Sequence, residues 1–255
     1  MIHKLANIDS KAKIDEGVSI GPYAIVGSEV EIKKGTIIHS HVVIEGPSKI
    51  GADNQIFQFA SLGGDPQDKK YKGEKTYLEI GNQNIIREGV TINRGTIQEK
   101  SLTKIGSRNL FMAYSHIAHD CQIEDDVVMV NNSALAGCVT MKKGSILGGF
   151  ALVHQFCNIG EYSFAAMGSA VTKDIPAFIR VSGNPAKPRG LNTTGIQRLE
   201  ISKENYSALK EAYKILYLRK YQLDEAKEKI KSIESFSEIK ILLKSLSDST
   251  RGIIR

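Results

Sequence analysis

The sequence contains no tryptophan, only three cysteines and only six prolines in 255 residues. Three widely spaced cysteines make neither a disulfide framework nor a paired zinc motif, so the expected compartment is a reducing cytosol and the location cytoplasmic. No run approaches the ~20 apolar residues that a membrane helix needs, which excludes a membrane span. The opening MIHKLANIDS lacks the apolar centre of a secretion signal. Aromatic residues are sparse at 7%, yet hydrophobic residues reach 41% and charged residues 24%. That balance belongs to a soluble, folded chain rather than a disordered one, and its length allows one or two cores.

Charge is unevenly spread. Residues 179–255 hold 16 Lys and Arg against 9 Asp and Glu, whereas residues 1–178 hold 18 against 19. A near-neutral body thus carries a basic C-terminal piece, which reads either as an attractor of nucleic acid, an anionic membrane surface or an acidic protein, or as a solvated helix face rich in Lys.

What the sequence has in abundance is a period of six. Aliphatic residues recur at every sixth position from Ile8 to Leu62, again at Ile80, Ile86 and Ile92, and after a shift from Ile105 to Val171. Of these 25 hexads, 21 are led by Ile, Leu or Val. The fifth position is mostly small (Ala12, Ala24, Ser115, Cys121, Ser133). The fourth often holds Gly, Asn or Asp (Gly17, Asp53, Asp120, Asn132), residues that tolerate a left-handed backbone. Six matches neither a helix nor plain strand alternation. It fits short strands joined at tight corners, with three hexads closing an 18-residue coil. Coils stack about 4.8 Å apart. The expected fold is therefore an all-β solenoid, a parallel β-helix of hexapeptide repeats over residues 1–190. Two stretches without the repeat, 68–79 and 98–104, read as loop insertions. From Ser202, a plausible N-cap, the pattern turns helical, with further helices around 223–233 and 237–246. Residues 191–255 are expected as a small helical domain capping the open end of the solenoid.

Residues 18 apart stack, so His119, Gly137 and Gln155 share one corner column and Asp120 lies beside His119. His116 is one strand earlier, and His154 precedes Gln155. A histidine beside an exposed main-chain N–H at a turn is the pairing that acyl transfer requires: a base near neutral pKa and a donor for a developing oxyanion.

The runs HIAHDC (116–121), NNSALAG (131–137) and VHQFCNIG (153–160), with FQFASLG and the terminal STRGIIR, resemble the UDP-N-acetylglucosamine acyltransferases of lipid A biosynthesis over essentially the whole chain. The resemblance implies a homotrimer of left-handed β-helices with active sites between subunits. It implies transfer of a 3-hydroxyacyl chain from acyl carrier protein to the 3-position of UDP-N-acetylglucosamine. No cofactor, metal or nucleic acid is implied, since the acyl chain arrives on the carrier's phosphopantetheine. His119 matches the family's general base, Asp120 its supporting carboxylate and the Gly137 N–H its oxyanion donor. His116, His154 and Gln155 match substrate-holding positions. Gln67, Asp68 and Lys70 match sugar- and diphosphate-binding positions, Asn131 lies on the acyl path, and Asn192 and Arg198 match nucleotide contacts. The basic helices would receive the acidic carrier protein. Cys121 and Cys157 read as core.

Three residues depart from the pattern of many relatives. Cys138 replaces a histidine near the sugar, and Leu199 replaces the second arginine of an Arg-Arg pair. Met167 stands where relatives with long donors carry glycine, in one column with Asn131 and Gly149. A methionine there would shorten an apolar groove, each excluded methylene being worth ~0.8 kcal/mol, which favours a donor of ten to twelve carbons over ordinary core packing. Alternative readings are a 3-amino acceptor sugar, the related sugar N-acyltransferase activity, a zinc hydratase resembling carbonic anhydrase built on His116, His119 and His154, and a non-catalytic solenoid.

Overall fold

The computed structural model describes every residue except Glu234. Each of the 25 hexads supplies one short strand, from Asn7–Ile8 to Ala170–Val171. The chain visits three sheets in turn, so each strand pairs in parallel with the one three places on, in sheets of nine, eight and ten strands. The register is one coil: Asn7 pairs with Ile25 and Ile25 with Val43, and beyond the insertions His116 pairs with Ala134 and Ala134 with Leu152. Alternation within a strand sends the leading aliphatic inward. Ile20, Ile38, Ile56, Ile86 and Phe111 stack as one buried column of the interior.

The corners explain the fourth position. Asp53, Asp120, Asp126 and Asn132 have φ of 56, 60, 61 and 59°. The same left-handed position also holds Tyr23, Phe59, Tyr114 and Phe150, at φ of 60, 65, 61 and 58°. These four lie at the corner joining the ten- and nine-stranded sheets, and each is more than half exposed. His41 sits between the first two, with ring centroids 5.1 Å from Tyr23 and 5.4 Å from Phe59.

At another corner a buried asparagine ladder runs through the coils. Asn54 Nδ2 donates to Gly51 O and Gly81 O. Asn84 donates through N–H and Nδ2 to Asn54 Oδ1, and its own Oδ1 accepts the Asn109 N–H at 2.9 Å. The ladder satisfies corner backbone that water cannot reach. Asn84→Ala strands the Asn109 N–H, while Asn54 Oδ1 keeps the main-chain N–H of residue 84, and is expected to cost about 1–3 kcal/mol. Chemical denaturation measures it, and an unchanged midpoint would contradict the ladder's role.

The outward faces differ. The eight-stranded sheet presents Lys13, Glu31, Lys49 and Glu79, paired as Lys13–Glu31 and Lys49–Glu79. The nine-stranded sheet presents Ile25, Val43, Ala134 and Leu152, and the ten-stranded sheet presents Ile37, Ile85, Leu110 and Ile146. The outward row of the nine-stranded sheet also holds Ser61, Thr91 and His116, so one mixed face and one mostly apolar face flank the aromatic corner.

Beyond Val171 the chain does more than decay out of the repeat. Strands Ile179–Ser182 and Lys187–Leu191 form an antiparallel hairpin on the edge of the ten-stranded sheet. Helices α1 (Thr193–Gln197), α2 (Lys203–Tyr213), α3 (Leu223–Lys231) and α4 (Ser237–Ser247) follow, with a π-helical turn at Lys214–Leu218. Ser202 caps α2, accepting the Asn205 N–H. These helices bury a second apolar cluster that includes Phe178, Leu209, Leu216, Ile230 and Leu242. Asp174 clasps the end of the chain, accepting from Ser249 Oγ and from the Thr250 N–H, while Ile254 joins the solenoid core. Among the described residues no helix is long and apolar enough to cross a membrane. The non-repeating stretches are shifted from the sequence reading: strands Tyr77–Ile80 and Leu102–Ile105 take up 77–79 and 102–104, because both segments pair in the eight-stranded sheet. The gaps between strands are 65–76 and 94–101.

Candidate active site

The corner from the nine- to the eight-stranded sheet carries His119. The Cys138 N–H donates to His119 O at 2.9 Å and the Phe156 N–H to Gly137 O at 3.1 Å, so His119, Gly137 and Gln155 stack as the coil arithmetic requires. Strand His116–Ile117 sets the approach, and left-handed Asp120 turns the chain so that its carboxylate folds back on the ring. His119 Nδ1 lies 2.9 Å from Asp120 Oδ2. The carboxylate is fully buried, whereas the imidazole keeps 17% of its surface open.

Four further hydrogen bonds fix Asp120. The Thr96 N–H reaches Oδ1 and Oδ2 at 3.1 and 3.0 Å, the Thr96 hydroxyl reaches Oδ2 at 2.7 Å, and the Lys100 N–H reaches Oδ1 at 3.1 Å. Burial pushes this carboxyl up, but the hydrogen bonds from His119, Thr96 and Lys100 outweigh it and hold the group below its ordinary value. The hydrogen bond to Asp120 raises the His119 pKa against desolvation, helped by the charges of Asp120, Asp68 and Glu99. His116 is shifted the other way, by burial and then by His119. Its Nδ1 lies 2.7 Å from Thr91 Oγ1.

Gly137 lies directly against the His119 ring. A Cβ there would stand 2.5 Å from His119 Cε1 and 2.6 Å from Nε2, so only glycine fits. Its N–H makes no hydrogen bond among the described residues. An imidazole, an orienting carboxylate and an unengaged N–H therefore share one corner, an arrangement suited to deprotonating a hydroxyl or amine that attacks a carbonyl.

The 65–76 loop closes one side of this corner. Buried Arg94, one coil before His119, donates to Gly63 O, Asp65 Oδ1 and Tyr71 OH. Asn93 Nδ2 donates to Asp65 O at 2.7 Å. Asp68 is half-buried and accepts the Lys70 N–H, while Gln67 and Lys70 are exposed. His154 and Gln155 are exposed on the next coil.

The remaining site residues are elsewhere on the chain. Asn131 and Met167 lie at the corner from the ten- to the nine-stranded sheet. Met167 is 78% exposed, so it is not core packing. Asn192 and Arg198 line a cavity of about 220 Å³ with Arg180, Ile146 and Phe164, on the outer face of the ten-stranded sheet. Leu199 packs in the helical cluster. Cys121 and Cys157 are buried, and burial pushes the half-exposed Cys138 thiol up to about 12. Among the described residues, the group of metal-ligand side chains whose donor atoms lie within 4.8 Å of one another is His119, Asp120 and Cys138, without His116 or His154. Both Asp120 oxygens there are already occupied by N–H and O–H donors. Sequence reasoning missed Thr91, Arg94, Thr96 and Thr103. Arg94 belongs to the column of His119, a signal visible once the insertions are taken out of the count.

Three-sheeted hexapeptide coils with a His–Asp pair at a strand corner place the chain in the hexapeptide-repeat class. Residues 11–46 match the family model of the bacterial transferase hexapeptide (six repeats), and residues 174–254 match domain 2 of the UDP-N-acetylglucosamine O-acyltransferases. Similar over the whole chain is the acyl-[acyl-carrier-protein]–UDP-N-acetylglucosamine O-acyltransferase of Stutzerimonas stutzeri, 50% identical with 99% of its length covered. The enzyme of the same name from Pseudomonas aeruginosa is 49% identical over all of this chain and 99% of its own. The solved structure of LpxA from Acinetobacter baumannii superposes with a TM-score of 0.97 at 47% identity, covering 100% of this chain and 99% of that one. The chain belongs to the acyl-[acyl-carrier-protein]–UDP-N-acetylglucosamine O-acyltransferase family.

Proposed function

We propose that this protein transfers a 3-hydroxyacyl chain from acyl carrier protein to the 3-hydroxyl of UDP-N-acetylglucosamine, opening lipid A biosynthesis in the cytoplasm. The observation that carries this reading is the convergence of His119, Asp120 and the Gly137 N–H at one corner. His119 takes the proton of the sugar hydroxyl, whose oxygen attacks the thioester carbonyl. The Gly137 N–H holds the oxyanion. Collapse expels the pantetheine thiolate, which recovers the proton from His119, leaving an ester and a free carrier thiol. The step uses no acyl-enzyme. His116, His154 and Gln155 hold substrate, and Gln67, Asp68 and Lys70 bind the sugar and diphosphate from the loop braced by Arg94.

The same reading takes the working form to be a homotrimer of left-handed β-helices, residues 1–190 forming the solenoid and 191–255 the helical domain. Its support is that Asn131, Met167, Asn192 and Arg198 sit on other faces than His119. Packing the nine-stranded face of one copy on the mostly apolar ten-stranded face of the next would bring the two sets into one cleft and cover the aromatic corner. The basic helices suit the acidic carrier protein.

Mass spectrometry after incubation with UDP-N-acetylglucosamine and 3-hydroxyacyl carrier proteins of ten to sixteen carbons tests the activity. A mono-acylated sugar nucleotide is expected. Acylation of the 3-amino analogue alone would overturn the hydroxyl acceptor, and no product from either would overturn the transferase. Exposed Met167 is expected to end the acyl groove, so Met167→Gly shifts the preferred donor from ten to twelve carbons upward by two or more. An unchanged chain-length profile would discard that role.

A further inference from the structure

The 94–101 insertion is braced against Asp120 more tightly than a surface loop requires. Thr96 is buried, yet it spends both its hydroxyl and its N–H on this one carboxylate, and Lys100 adds a second main-chain donor. Thr103, also fully buried, accepts the Asp120 N–H on Oγ1 at 2.8 Å. Gly95 makes the approach possible: a Cβ there would lie 2.1 Å from Leu102 N and 2.8 Å from Asp120 Oδ1. The loop closes on itself through the Ser101 N–H donating to Thr96 O at 2.9 Å. The Thr96 N–H, the Thr96 hydroxyl and the Lys100 N–H thus aim at one carboxylate, whose remaining partner is His119.

We propose that the 94–101 insertion is a positioning element for the base, in which Thr96 fixes the Asp120 carboxylate so that it holds His119 in one tautomer and one orientation. The inference rests on the role given to His119 above. A carboxylate free to rotate would still be negative, but its hydrogen bond to Nδ1 would be intermittent. Nε2 would then lose both its aim and its assignment as the proton acceptor. Outer partners that orient metal-ligating histidines typically matter about ten- to a hundred-fold, and the same size of effect is expected for orienting this one.

The other groups facing the pair are Asp68 on the 65–76 loop, Glu99 and Lys100 on the insertion, His116 on the adjoining strand and Cys138 on the next coil. None of them is altered by substitution at Thr96. Since the bond to Asp120 is the largest of the causes that raise the His119 pKa, loosening it moves that value down. The acid limb of the rate profile moves to lower pH with it.

The test compares Thr96→Val, which keeps the shape and the N–H but not the hydroxyl, with Thr96→Ser, which restores the hydroxyl. Two quantities are read: the pH profile of kcat/KM, and the imidazole titration of His119 by nitrogen-15 NMR, assigned against His119→Gln. The valine variant is expected to lose ten- to a hundred-fold in kcat and to move both the limb and the titration to lower pH. Serine should return both toward the parent. A valine variant with the parent's limb and titration would overturn the proposal whatever its activity, because a merely structural threonine changes the active fraction and not the pH at which it titrates. Thr96→Ala gives the same readout should the valine chain fail to fold. If the parent protein transfers no acyl group, the proposed function falls, while the NMR titration still decides whether Thr96 sets the His119–Asp120 pair.

Discussion

His119→Ala is expected to lower kcat for acyl transfer about 10³-fold while leaving KM for the sugar nucleotide within a few-fold. General-base removal typically costs about 10²–10⁴-fold, and here no neighbour can take over. His116 is the nearest imidazole in the sequence, but its Nδ1 is tied to Thr91 and burial lowers its pKa. Cys138 stays a protonated thiol at neutral pH. Asp120 is buried behind the ring and saturated with donors. The loss should fall on kcat, because the proton moves only on the way to the transition state. The ring lies on a corner outside the core column, so the variant should keep the parent's thermal unfolding. Steady-state kinetics beside a melting curve check both statements. Activity within ten-fold of the parent would remove His119 from the role of base.

Gly137→Ala should be nearly as damaging, for a different reason. The new methyl would meet His119 Cε1 at 2.5 Å and Nε2 at 2.6 Å, closer than carbon and nitrogen can approach. Gly137 is not in the left-handed region, so the backbone itself accepts alanine; the ring has to yield. Turning it breaks the alignment with Asp120 and moves Nε2 away from the acceptor oxygen, and any backbone shift displaces the N–H meant for the oxyanion. Losing one such donor costs about 10²–10³-fold in kcat, and misplacing the base adds to that. The expected outcome is a fall of at least 10²-fold in a folded protein. A substitution that left the rate intact would show that neither the ring position nor this N–H matters to the reaction.

The solenoid was legible because its interior admits one side chain per hexad face, and so imposes a period that no helix or flat sheet shares. Residues stacked 18 apart put His119, Gly137 and Gln155 together before any coordinates. Three things were not legible. The rule that left-handed corners take Gly, Asn or Asp misses Tyr23, Phe59, Tyr114 and Phe150, because a side chain pointing away from the body meets no steric limit beyond its own backbone. The hairpin 179–191 was hidden because the six-residue period stops at Val171 and the stretch beyond, with Pro176, Pro185 and Pro188, carries no repeat of its own. Thr96 and Arg94 were missed because insertions conceal which coil a residue belongs to, and their partners, Asp120 and Asp65, lie more than 20 residues away in sequence.

The two ends of the coil stack are not alike. The C-terminal end is shut by the helices and the Asp174 clasp, whereas the first coil leaves Met1, Ile2 and Leu5 open. In a stack where each coil touches only its neighbours, loss of structure advances as a front from the weaker end. That front starts at the N-terminus, and five strands of its own sheet stand between that end and the strand of His116. Fraying of the terminal coils therefore spends itself on residues that do no chemistry. The corner of His119 lies in the sheltered half of the stack, where its geometry outlasts the opening of the end.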